Sequence, residues 1–214
     1  MAENPTLTLY SAGTPNGRKI TVFLEILRIP HTYKKIDIFK GEQKKKWFLK
    51  LNPNGQIPVI TDFDEKGDEI TIFETGAILE FLAFKYDCNN EVSFRFGTRL
   101  YWEQSKWLAF QISSHSPLQG QLSYFMNFAP FKDQPAIERY HEETRRIFGV
   151  YERRLEENNG WLVGDRLNVA DIAAYAFIRR HDFVKVLLDE FPSLRIWLEN
   201  INQIDGANKG YLSA

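Results

Sequence analysis

Thr6-Leu7-Thr8-Leu9-Tyr10 followed by Ser11-Ala12-Gly13-Thr14-Pro15-Asn16-Gly17-Arg18-Lys19-Ile20 reads as a strand, a turn and the start of a helix. The first five residues alternate and include β-branched and aromatic types, which favours a strand. Pro15, Asn16 and Gly17 supply turn chemistry, and Ile20, Phe23, Leu24 and Leu27 then recur at i, i+3, i+4 and i+7, so a helix begins near Asn16. Such a turn gathers backbone N–H groups, the positive end of a helix dipole and two hydrogen-bonding side chains, Thr14 and Asn16. An anion or a thiolate would be held well there.

Outward from this turn, the helix ends at Ile29-Pro30, and residues 31–38 alternate well enough for a second strand. A basic segment, 41–50, is anchored only by Trp47, Phe48 and Leu51 and leaves room for a short helix. Asn52-Pro53-Asn54-Gly55-Gln56-Ile57-Pro58 is dense in turn residues and delivers the chain into a third strand at 59–61. Pro58 at a strand start suits a sheet edge, or a cis turn that leaves the backbone of Ile57 open to a ligand. The turn 64–67 leads into a hairpin partner at 69–73, and Glu74-Thr75-Gly76 opens an apolar helix ending near Tyr86. The order β-α-β-α-β-β-α predicts an α+β thioredoxin-like domain over 1–87.

Residues 87–91 are polar and read as a linker, with Cys88 expected to be a buried small residue. Beyond it strand signals stop. A long helix is expected over 94–124, bent near Ser113 to Pro117, then an amphipathic one over 134–158. At Leu167-Asn168-Val169-Ala170-Asp171-Ile172 the spacing predicts a capping box between Asn168 and Asp171 and a staple between Leu167 and Ile172, ahead of a buried helix. Another helix is expected at 193–204. The second domain, 94–214, therefore reads as an all-α helical bundle.

The 214 residues carry 27 basic and 28 acidic side chains, a formal net charge of -1, so no global field selects nucleic acid or an anionic membrane. No apolar run approaches the roughly 18 residues of a spanning helix, and the N-terminus lacks a signal-like pattern, so a cytoplasmic protein is expected. One cysteine and four scattered histidines show no metal-ligand spacing, and no metal is expected.

The motifs Thr14 to Lys19, Asn52 to Pro58, Phe73-Glu74-Thr75-Gly76-Ala77-Ile78-Leu79, Ser114-His115-Ser116-Pro117-Leu118-Gln119-Gly120-Gln121 and Ala136-Ile137-Glu138-Arg139-Tyr140 resemble, in order and spacing, those of cytosolic glutathione transferases. The likeness is to the bacterial nu class and the fungal nitrogen-regulator-like (prion-type) class. The resemblance implies glutathione as substrate with no permanently bound cofactor, a helical domain lining a second-substrate site, and a homodimer. The long Asn/Gln-rich extension of the fungal regulator is absent from this sequence.

Residue by residue, the resemblance places the γ-glutamyl carboxylate on Thr75 and its ammonium on Glu74. Helix-terminus physics fits this reading, and an ordinary helix cap is the alternative. Ile57 would offer its backbone to the cysteinyl residue as an added strand. Gln43 would hold the glycyl end, whereas Lys44, Lys45 and Lys46 read as a solvated face. Arg139 matches an arginine that reaches the neighbouring subunit's glutathione, or else forms a surface ion pair.

The nucleophile in this reading is the ligand's own thiol. A thiol of pKa about 8.5 is only a few per cent thiolate at neutral pH. Lowering it by about two units takes roughly 2.7 kcal/mol. One hydrogen bond to a charged group, about 1.5–3 kcal/mol, with a helix N-terminus at about 0.3–1, is enough. Aligning Arg18 with the arginine that follows the active-site serine of serine-type transferases assigns this role to Thr14 and Asn16. Tyr10 is the competing candidate, and its place in the alternating strand favours core packing.

Without a cysteine at the turn, the similar classes act as thiol-disulfide oxidoreductases that use glutathione itself. Electrophile conjugation is the alternative, and a ligand-binding or regulatory protein on the same scaffold is a third. Phe110, Tyr124, Phe125 and Phe128 would suit a small hydrophobic or disulfide substrate, or simply a helical core.

Overall fold

The structure, a computed structural model, describes residues 6–213 and divides into two compact units, one holding 6–88 with 205–213 and the other 89–204. In the first unit, β1 (Thr8–Ser11) leads through the turn into α1 (Pro15–Ile26) and β2 (Thr32–Lys35). A single 3₁₀ turn (Glu42–Lys44) and α2 (Lys46–Leu51) precede β3 (Val59–Phe63), β4 (Glu69–Phe73) and α3 (Thr75–Tyr86). The four strands lie in the order β2-β1-β3-β4, with β1 parallel to β2 and β3 antiparallel to both β1 and β4. This is the thioredoxin-like arrangement expected from the element order, with short helices where the basic segment 41–50 left room for one.

The register fixes where the site can be. Tyr10 pairs with Val59, and Val59 with Phe73. The residues that leave β1, those that lead into β3 and those that leave β4 therefore emerge at one end of the sheet. Thr14 and Asn16, Ile57, and Glu74 with Thr75 occupy those three positions.

Residues 205–213 depart from the sequence reading, which kept them in the helical domain. They form α9 (Ala207–Leu212), packed on α1 of the first unit. The backbones touch because Gly210 has no side chain. A Cβ there would stand 2.6 Å from the Thr21 carbonyl oxygen and from the Val22 Cα. Lys209 pairs with Glu25 at 2.6 Å and Arg28 with Asp205 at 2.6 Å. Six residues carry too little periodicity to announce such docking. Cys88 is a second departure: it is exposed, donating weakly to the Lys85 carbonyl at 3.7 Å, because the polar turn after α3 carries it outward.

In the second unit the long helix expected over 94–124 is resolved into α4 (Arg99–Phe110), a π-helical turn (Gln111–His115) and α5 (Ser116–Asn127). Pro117 has no N–H to give the ladder, and the widened turn absorbs the defect. Here His115 is buried, sharing hydrogen bonds with Tyr151 at 3.2 Å and Gln119 at 2.7 Å. α6 (Gln134–Glu157), α7 (Val169–Ile178) and α8 (Pro192–Asn202) complete the unit. The capping box forms: Asn168 Oδ1 accepts from Ala170 N–H at 3.0 Å, and Asp171 Oδ2 from Asn168 N–H at 3.2 Å. Asn168 also donates its amide to the Val163 carbonyl at 3.1 Å, a bond that a serine or threonine cap does not reach. Every residue of α7 is buried.

Candidate functional site

The turn that starts α1 is built around Gly17. A Cβ there would come within 2.2 Å of the Ala12 carbonyl oxygen and 2.3 Å of Ser11 Oγ, so only glycine lets the first helical turn fold back onto the end of β1. Thr14 is the N-cap; its Oγ1 accepts from Gly17 N–H at 3.2 Å while its carbonyl accepts from Arg18 N–H at 2.9 Å. Because Oγ1 is acceptor in that bond, the Thr14 hydroxyl proton remains available to a ligand. Pro15 has no N–H, and the Asn16 N–H and the half-buried Asn16 side-chain amide have no acceptor among the described residues, as is also true of the buried Arg18 Nε–H.

Tyr10 lies elsewhere. Its hydroxyl accepts from Lys34 Nζ at 3.3 Å, its ring stands 6.2 Å from that of Trp47, and it packs on the cluster of Ile36, Phe48 and Val59. The packing role expected for it is what the fold uses.

The loop 52–58 is held by buried Asn52, whose amide donates to the Gln56 carbonyl at 2.8 Å and whose Oδ1 accepts from Asn54 N–H at 2.9 Å. The Ile57-Pro58 peptide is cis. Gln43 sits against this loop, where a Cβ on Gly55 would stand 3.0 Å from the Gln43 carbonyl oxygen. Its amide donates to the Ile38 carbonyl at 3.3 Å, and its buried Oε1 has no protein partner. The second amide proton of Gln43 is the donor left for a ligand carboxylate. Lys44, Lys45 and Lys46 are exposed, as a solvated face should be, and Lys44 is committed to the Asn54 carbonyl at 3.2 Å.

At the third segment, Glu74 precedes α3 with φ 69 and ψ 122, a conformation that a residue with a Cβ occupies only at a local energetic cost. Its side chain is exposed and makes no capping bond, whereas Thr75 is buried. The helix-cap alternative for Glu74 is therefore not what the side chain does.

Sequence reasoning missed Lys19. It is completely buried on α1, and its Nζ donates to Thr75 Oγ1 at 3.2 Å, joining α1 to the start of α3. Burial lowers its pKa to about 7, against which the Glu74 carboxylate acts to raise it. The signal was present: Lys19 stands four residues before Phe23, in phase with the apolar face of α1.

Arg139 belongs to the other unit. It is exposed on α6 one turn before Glu143, whose carboxylate is held below its usual range by a hydrogen bond from Arg146, with a smaller contribution from Arg139. The four aromatic residues are not one group. Phe110 packs on Trp107 and Tyr151, Tyr124 meets Phe125, which stacks on Tyr140, and Phe128 stands against Phe183.

With this geometry in view, comparison with known families is decisive. Residues 14–84 match the glutathione S-transferase N-terminal domain and residues 112–205 the glutathione S-transferase C-terminal domain. The chain belongs to the glutathione transferase family. This transferase is 35% identical over 210 residues to the disulfide-bond oxidoreductase YfcG of Escherichia coli, covering 97% of this chain and 95% of that one. Among solved structures, a glutathione transferase homolog from Lodderomyces elongisporus, with two glutathione molecules per subunit, is similar at 38% identity and a TM-score of 0.94, covering 98% of both chains. The transferase URE2P6 of Phanerochaete chrysosporium, in complex with oxidized glutathione, is similar at 33% identity and a TM-score of 0.92, covering 100% of this chain and 98% of that one.

Proposed function

We propose that this transferase binds glutathione at the end of the sheet where the three segments converge, and activates its thiol for attack on a disulfide. The observation that carries the reading is the pair of uncommitted donors at the start of α1, the Thr14 hydroxyl and the Asn16 amide, at a turn that holds no cysteine. The γ-glutamyl group falls to Glu74 and Thr75, the cysteinyl backbone to Ile57 and the glycyl end to Gln43. The names of the relatives support both parts, glutathione as ligand and disulfide chemistry as outcome.

In the first step the bound thiolate forms a bond to one sulfur of the substrate disulfide, and the other sulfur leaves as a thiolate that takes a proton from water. A second glutathione thiolate then attacks the mixed disulfide, releasing the second product thiol and oxidised glutathione. Electrons balance, since two glutathione thiols are oxidised for each disulfide reduced. Conjugation of an electrophile uses the same thiolate and is the second reading. One preparation assayed with bis(2-hydroxyethyl) disulfide and with an aryl halide separates them. Conjugation without disulfide reduction would overturn the leading activity, and glutathione binding without turnover in either assay would favour a carrier.

A homodimer is part of the proposal, with exposed Arg139 available to a partner's glutathione and Tyr124 and Phe128 exposed to take apolar groups. Light scattering in solution tests the dimer directly.

A further inference from the structure

Lys19 lies outside the residues assigned above, and its chemistry constrains Thr75. An ammonium has three donors and no acceptor, so in the 3.2 Å contact Lys19 Nζ donates and Thr75 Oγ1 accepts. The hydroxyl proton of Thr75 must then point away from Lys19. No protein acceptor takes it among the described residues, so it is left to a ligand. A neutral amine can accept, and would let the same hydroxyl turn inward.

We infer that Lys19 is a positioning residue for the γ-glutamyl carboxylate of glutathione: its charged form fixes the Thr75 hydroxyl as a donor to that carboxylate and supplies the buried counter-charge behind it. The inference rests on the glutathione reading of the site. Glu74 is the carboxylate that faces Lys19 from the start of α3. On α1, Glu25 is paired with Lys209 of α9 at 2.6 Å, and Arg18, a like charge, lies over the Tyr211 ring at 4.3 Å. A ligand carboxylate held on Thr75 would place a second anion beside Lys19, next to that of Glu74.

Binding should therefore be coupled to a proton. Burial holds Lys19 near half-charged at neutral pH, with its pKa at about 7. A bound carboxylate raises that value, so the protein takes up a proton on binding just above neutrality and affinity falls as pH rises further.

The probe is S-methylglutathione, which has no ionisable thiol, paired with its analogue lacking the γ-glutamyl carboxylate. Affinities of both are measured by calorimetry at pH 6.5 and pH 8 in the wild type, Lys19→Met and Lys19→Arg. In the wild type, loss of the carboxylate is expected to weaken binding about tenfold or more at pH 6.5 and clearly less at pH 8. In Lys19→Met the factor should shrink to about threefold or less at both pH values. Lys19→Arg should restore a large factor without the pH dependence, because a guanidinium does not deprotonate.

An equal factor in wild type and Lys19→Met, or a wild-type factor that does not change with pH, would overturn the role of Lys19 while leaving the glutathione site intact. If S-methylglutathione does not bind the wild type at all, the site reading itself fails. Should Lys19→Met not fold, the wild-type pH dependence and Thr75→Val, which ought to lose the carboxylate factor, decide the matter.

Discussion

Thr21 Oγ1 donates to the Gly210 carbonyl at 2.6 Å, which fastens α9 to the middle of α1, the helix that opens at Thr14. Gly210→Val would drive a branched side chain into the α1 backbone and detach α9. The buried Tyr211 ring and Ala207 would then return to water. Burying a large apolar side chain contributes about 1.5–3 kcal/mol, and each kcal/mol moves the melting temperature of a chain this size by about 2–4 °C. We expect Tm to fall by about 5–10 °C in a thermal melt, and a shift near zero would mean that α9 adds nothing to the first unit.

In the proposed mechanism Asn16→Ala removes one charge-assisted donor from the bound thiolate, a difference of about 1.5–3 kcal/mol, or roughly one to two pKa units. The thiol of bound glutathione, followed by thiolate absorbance against pH, should titrate that much higher. Turnover at pH 7 should drop by about tenfold or more. Affinity for S-methylglutathione, which has no thiolate to stabilise, should change little. A thiol titration unmoved by the substitution would take Asn16 out of the mechanism and leave Thr14 as the activating group.

Lys19 also leaves a mark on stability. Its folded pKa of about 7 lies below the ordinary lysine value of 10.5, so between those values the unfolded chain binds the extra proton. Stability from this group therefore rises as pH goes from about 7 to 10.5 and is lowest below 7. Lys19→Met should flatten that slope and raise the urea midpoint at pH 6, since it deletes the burden of burying an ammonium. A midpoint that falls at pH 6 would show the Thr75 bond to be worth more than the desolvation it requires.

Much of this was legible because two periodicities and a few turn residues carry it. The alternation in β1 and the i, i+3, i+4 pattern of α1 bracket Gly17, and a turn so tight admits no other residue. The capping box at Asn168 and Asp171 is equally local. Lys19 and α9 were not legible for opposite reasons. A lysine on an apolar face is normally read as snorkelling to solvent, and only the tertiary position of Thr75 shows that it does not. α9 adheres through backbone contact at Gly210, which depends on the absence of side chains and leaves no hydrophobic pattern. Cys88 was misread because residue type favours burial, whereas the polar turn that contains it decides exposure.

Asp171 makes the strongest demand on the helical unit. Its buried carboxylate accepts from Leu162 N–H at 3.1 Å, Asn168 N–H at 3.2 Å and Trp197 Nε1–H at 2.8 Å, tying the start of α7 to the preceding loop and to α8. Burial pushes its pKa up to about 7 in spite of those donors. The folded state therefore holds a proton that the unfolded chain has released between about 3.8 and 7. The stability owed to this protonation is fully present below that window and is lost as pH rises through 7, in the opposite sense to Lys19 and over a different range. Asp171→Ala would strand three buried donors at about 1–3 kcal/mol each. A loss of at least about 3 kcal/mol in urea unfolding at pH 7 is expected, with Trp197→Phe, which removes one donor and keeps the ring, near 1 kcal/mol. Equal losses for the two variants would show that Asp171 acts through the single bond to Trp197 and that the capping box contributes little.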